Sequence, residues 1–142
     1  MITRTASARY EGFGKEGKGH VSTQSGVLSD QYYGFGSRFE SEKGTNPEEL
    51  IAAAHASCFT MALSFALARA GHSDGTLETE ARVKLDKDGD GFKVSRSDLT
   101  LTAHVPGIDE DEFRTLAEGA KANCPISKLL NAEISLDYTL NG

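Results

Sequence analysis

Positive charge is sparse in this sequence. No run of basic residues exceeds two, and 15 Lys and Arg stand against 21 Asp and Glu, for a net charge of −6. That balance favours solubility and works against binding nucleic acid by phosphate neutralisation. Cysteine is scarcer still, with two residues, Cys58 and Cys124. Residues 1–10 alternate polar and small side chains and lack the apolar stretch of a signal peptide, so a cytoplasmic location is expected. In a reducing compartment two cysteines argue against a permanent disulfide and leave room for a transient, catalytic one. Repeats, low-complexity tracts and Pro/Gly/Ser-rich linkers are also missing, so residues 1–142 are expected to form a single domain.

The longest charge-free stretch, residues 50–68, approaches the ~20 residues of a membrane span. It is Ala-rich, carries His55, Ser57, Thr60 and Ser64, and has no flanking aromatic belt, so a core helix is expected and no membrane partner. Gly44-Thr45-Asn46-Pro47-Glu48-Glu49 supplies its start: Thr45 or Asn46 can cap, Pro47 suits the first helical position, and two glutamates meet the positive end of the dipole. The spacing predicts a helix to about Ala70, stopped by Gly71. Ile51, Ala54, Cys58, Met61, Ala62 and Phe65 share one face, and Leu50, Phe59, Leu63 and Leu67 occupy another, so cover on most sides is expected.

Before this helix, extended segments at 3–10 and 19–23 and the aromatics Tyr32, Tyr33, Phe35 and Phe39 read as a small antiparallel sheet with tight turns. After it, Leu77, Thr79, Ala81, Val83 and Leu85 alternate as a half-buried strand, and residues 92–105 form a second. The apolar positions of the second switch from even (Phe92, Val94) to odd (Leu99, Leu101, Ala103, Val105), which predicts a bulge or change of partner within 95–98. Residues 109–122 and 125–130 read as helices, and 132–140 as a closing strand. The fold class is α+β, with antiparallel sheets around a long central helix.

Asp86, Asp88 and Asp90 begin like a calcium loop, but its twelfth position, where a bidentate Glu is needed, is Ser97; a hairpin turn explains the segment. His55 and Cys58, three residues apart, could be two metal ligands, yet no second ligand pair accompanies them, so His55 is read as a helix-face side chain that packs or binds water. No cofactor is expected. Cys58, about three turns into an apolar helix, lies beyond the reach of the dipole; as a reactive thiolate it needs a cation from elsewhere in the fold. Cys124, in Asn123-Cys124-Pro125, sits where a helix begins, a setting that acidifies a thiol. Physical chemistry leaves the division of labour between the two open.

The segment from Gly44 to Phe59, with its Ala52-Ala53-Ala54-His55-Ala56-Ser57-Cys58-Phe59 core, resembles the signature of the OsmC/Ohr family. Asn123-Cys124-Pro125-Ile126-Ser127-Lys128 is similar to the family's second motif, and Ser37-Arg38-Phe39-Glu40 to its OsmC branch. The resemblance covers essentially the whole chain. It implies reduction of organic hydroperoxides and hydrogen peroxide, with Cys58 attacking, Cys124 resolving, Arg38 supplying the cation, Glu48 orienting the arginine, and an external dithiol as reductant. It also implies an intertwined homodimer. Spacing agrees, since Glu48 and Cys58 lie about 15 Å apart along a helix and antiparallel helices of two chains would bring them together. Phe59, Met61 and the 32–39 aromatics are expected to line a pocket for the organic group. A ligand-binding or redox-sensing protein of the same fold, without turnover, is the alternative.

Overall fold

A glycine opposite two tyrosines shapes the first part of the chain. Strands β1 (Ala6–Glu11), β2 (Lys18–Thr23) and β3 (Gln31–Tyr33) pair antiparallel in the order β1-β2-β3. Gly19 of β2 lies under Tyr10 and Tyr33; a Cβ there would come within 2.6 Å of the Tyr33 ring and 2.9 Å of Tyr10. The missing side chain lets the two rings approach to 6.0 Å between centroids. In the computed structural model, which describes residues Met1–Gly142, this sheet belongs to a compact unit, Met1–Leu50; Ile51–Gly142 forms a second.

The expected sheet stops earlier than its aromatics do. Phe35 and Phe39 belong to a short helix, α1 (Phe35–Phe39), because Ser37 Oγ accepts the Gly34 N–H at 2.9 Å and turns the backbone. The same hydroxyl donates to the Thr45 carbonyl at 2.8 Å, and Asn46 Nδ2 donates to the Ser37 carbonyl at 3.1 Å. Asn46 Oδ1 in turn accepts the Glu49 N–H at 2.7 Å, the N-cap foreseen for the long helix α2 (Pro47–Arg69).

Helix α2 ends as expected, with Gly71 at φ +95° and His72 N–H bonded to the Leu67 carbonyl at 2.9 Å. Its length and apolar composition would suffice to cross a membrane, but one face enters the core of the second unit. That face is His55, Phe59, Leu63 and Leu67 at four-residue spacing. Cover on most sides is not realised within one chain: Met61 and Phe65 on the opposite face are 63% and 61% exposed.

Strands β4 (Thr76–Asp88) and β5 (Gly91–His104) form a hairpin closed by Gly89 and Asp90, with Gly89 at φ +61°. Lys84 pairs with Arg96 and Leu85 with Val94, so Ser95 is the extra residue of a bulge, within the predicted segment. Beyond it, Ser97, Leu99, Leu101 and Ala103 all face the core. Helix α3 (Glu110–Asn123), capped by Asp109 at 3.1 Å from the Glu112 N–H, adds Phe113, Ala117 and Ala120. The short α4 (Pro125–Leu129) leads to β6 (Glu133–Leu140). Here the expected antiparallel sheet is corrected. β6 runs parallel to β5, because two helices carry the chain back before it re-enters the sheet. Asn141 secures this end by pairing both backbone groups of Val105, at 2.8 and 3.0 Å.

Truncating Leu101, fully buried at the centre of this core, to Ala should lower unfolding free energy by about 2–5 kcal/mol in urea titrations. Phe13→Ala, at a side chain 92% exposed, should stay within about 0.5 kcal/mol of the parent.

Candidate active site

The joint between α3 and α4 is dictated by Pro125, whose ring disfavours helical backbone at the residue before it. Cys124 therefore closes α3 and caps α4, with ψ 133°. In that position its Sγ accepts the Ser127 N–H at 3.4 Å and is fully buried. Cys58 approaches from α2, half-buried. Both thiols are free, and they stand near enough for each to act on the other's ionisation. The predicted cysteine pair is thus assembled inside the second unit.

The two sulfurs have different environments. Burial pushes the Cys58 thiol up; the Ile126 N–H counters this in part, while Cys124 adds to it. None of the groups acting on Cys58 is a cation, which is the deficit foreseen for a mid-helix thiolate. At Cys124 burial also acts upward, but the Ser127 hydroxyl, the Ser127 N–H, the Cys58 thiol and the Ile126 N–H together bring the sulfur below the usual thiol value. The more acidic sulfur is therefore the one that solvent does not reach.

His55, expected as a packed or hydrated helix-face residue, is packed. It is fully buried, with Nδ1 2.6 Å from Ser97 Oγ on β5 and Nε2 2.8 Å from Ser127 Oγ on α4. Burial holds its pKa below the usual imidazole value, so the ring is neutral. Ser97 and Ser127 are the site residues that sequence reasoning missed. The available signal was a serine in the odd, core-facing register of β5 otherwise filled by Leu99, Leu101 and Ala103.

In the first unit, Arg38 and Glu48 come together as foreseen. Arg38 Nε and Nη2 meet the two Glu48 oxygens at 2.9 and 2.8 Å, a bidentate pair with the carboxylate mostly shielded. The Ser37–Thr45–Asn46 hydrogen bonds set it by fixing α1 against the start of α2. One expectation fails: Phe59 is fully buried in the core and lines no pocket, whereas Met61 borders an open apolar groove with Ala53, Ala56, Ser57, Ser64 and Phe65.

A partly exposed thiol beside a buried, acidified one defines a dithiol redox protein on an α+β frame. Residues 40–139 match the OsmC-like protein family. The chain is 53% identical to peroxiredoxin OsmC of Escherichia coli over 98% of its own length and 97% of that protein's. It is 32% identical to the organic hydroperoxide resistance protein OhrB of Bacillus subtilis, over 86% and 88% of the two lengths. The crystal structure of Bacillus subtilis OhrB superposes with a TM-score of 0.73 at 30% identity, covering 97% and 98% of the chains. That of an organic hydroperoxide resistance protein from Elizabethkingia anophelis gives 0.76 at 27%, covering 99% and 98%. The chain belongs to the OsmC-like family.

The neutral His55 has a pH consequence. Unfolded, the imidazole protonates below about pH 6.5, whereas the folded site resists the proton. The unfolded state then binds more protons, so stability is full above that pH and falls as pH drops through it. Urea unfolding at pH 7 and pH 5 should show a loss for the parent that is smaller in His55→Gln.

Proposed function

We propose that this chain is a cysteine-based hydroperoxide reductase in which Cys58 attacks and Cys124 resolves. The observation that carries the assignment is accessibility: Cys58 is partly exposed, and Cys124 has no exposed surface. Acidity alone would favour Cys124 as the attacking thiolate, but a sulfur that peroxide cannot reach does not attack it. The Cys58 thiolate displaces alcohol or water from the O–O bond and becomes a sulfenic acid. Cys124 condenses with it, releasing water, and an external dithiol restores both thiols by exchange. The 53% identity to a peroxiredoxin supports this reading.

The cation that Cys58 lacks is assigned to Arg38, held by Glu48, of a second copy in a homodimer. Support comes from the exposed Met61 and Phe65 and the small residues Ala53, Ala56 and Ser57 beside them, an apolar α2 surface suited to a partner helix. The same surface is suited to the carbon chain of an organic hydroperoxide. Reduced thiols and the absence of a disulfide framework fit work in the cytoplasm.

The test is a count of free thiols before and after about one equivalent of cumene hydroperoxide. Two thiols should disappear rapidly in the parent and none in Cys58→Ser, while Cys124→Ser should consume peroxide once. Two unreacted thiols in the parent would replace the enzyme with a ligand-binding protein of the same fold. Arg38→Met should slow the first turnover by a factor of order 100, the scale expected for removing one charge-stabilising donor.

A further inference from the structure

His55 is fully buried, and the cycle proposed above makes no use of it. Its ring is gripped at both nitrogens by hydroxyls from two other elements, Ser97 on β5 and Ser127 on α4. Ser127 donates its N–H to Cys124 Sγ at 3.4 Å, and its hydroxyl also acts to lower that thiol. Ser97, His55, Ser127 and Cys124 therefore stand in one connected row, and the protons along it can be ordered. A hydroxyl has one proton, and a thiolate can only accept. With Cys124 ionised, the Ser127 hydroxyl keeps its proton and points it at Sγ, so Ser127 Oγ must receive from His55 Nε2–H. The neutral ring then accepts at Nδ1 from the Ser97 hydroxyl. In the other tautomer the Ser127 proton turns toward Nε2, and Cys124 loses its hydroxyl donor.

We propose that His55 is a positioning residue for the second thiol: by donating from Nε2 it commits the Ser127 hydroxyl to Cys124, so that Cys124 attacks, and later departs, as a thiolate. The inference rests on the peroxidase reading and gives its second half a direction. In resolution, the Cys124 thiolate attacks the sulfur of the Cys58 sulfenic acid. The S–S bond forms, the S–O bond breaks, and hydroxide leaves, becoming water with a proton from solvent. In reduction, a thiolate of the external dithiol attacks the Cys58 sulfur, the partly exposed member of the pair. A mixed disulfide forms, the protein S–S bond breaks, and its electron pair leaves on Cys124, where the two Ser127 donors receive it. The second thiol of the dithiol then displaces Cys58 and carries away the oxidising equivalents as its own disulfide. A better-stabilised leaving thiolate speeds such exchange. The titratable groups facing Cys124 are Cys58 and, through Ser127, His55, both from α2; α3, α4 and β5 bring no charge to it.

The test uses the full chain in a Cys58→Ser background, where Cys124 is the remaining thiol and its ionisation is followed by thiolate ultraviolet absorbance against pH. Ser127→Ala and His55→Leu should each raise the midpoint by about one unit, a tenfold loss in ionisation. His55→Gln, whose amide can donate near the Nε2 position, should restore most of it. With both cysteines present, reduction of the protein disulfide by dithiothreitol should slow about threefold in Ser127→Ala and His55→Leu, following the Brønsted dependence of exchange. A midpoint unmoved in Ser127→Ala, a change small enough to leave the chain folded, overturns the proposal. So does a His55→Gln protein that behaves like His55→Leu. Peroxide consumption by the parent is read separately: if it fails, the peroxidase reading falls, while the Cys124 midpoint still decides the role of His55.

Discussion

A thiol sealed from water must be given its hydrogen bonds by the protein, and this requirement at Cys124 organises much of the second unit. Pro125 breaks the helix behind it, α4 turns two donors of Ser127 onto it, and α2 brings Cys58 to it. The neighbouring core, with Phe59, Leu99 and Phe113 at zero or one per cent exposure, excludes the water that would otherwise compete for the sulfur. Low local polarity makes each of those hydrogen bonds count for more, and makes any unpaired polar group more costly. A buried histidine with both nitrogens bonded is what that environment allows.

The first unit shows the same logic at the surface of a charge pair. Arg38 and Glu48 lie ten residues apart in the chain, on different helices, and their bidentate geometry is fixed through groups with no charge: the Ser37 hydroxyl, the Thr45 carbonyl and the Asn46 amide. Asn46 serves two masters, capping α2 with its oxygen and holding α1 with its nitrogen. The placement of the arginine is thereby linked to the start of the helix that carries Cys58.

Features that depend on local chemistry were legible in the sequence. The start of α2 follows from Asn46-Pro47-Glu48-Glu49, the break between α3 and α4 from Asn123-Cys124-Pro125, and the Ser95 bulge from a phase change in apolar residues. Features set by distant partners were not. His55 meets hydroxyls 42 and 72 residues away, and helical spacing could say only that it shared a face with Cys58. The exposed state of Met61 and Phe65 was hidden because an apolar stripe looks the same whether its cover comes from the same chain or another. The direction of β6 depends on how two intervening helices are routed, and alternation along a strand carries no sign of direction. Phe35 and Phe39 mimicked a strand because a local serine turn overrode their period.

The Ser95 bulge divides the β4–β5 hairpin into two regions with separate constraints. On the core side, every residue of β5 is locked in phase with Ser97, and through it with the histidine and the thiols. On the tip side, from Leu85 around Gly89 to Val94, the alternation is free of that phase. The tip is in effect an insulated handle. Peptide grafts, fluorophores or surface tethers could be attached there without passing a register shift into the redox centre, so the protein can be immobilised or tracked with its chemistry left undisturbed.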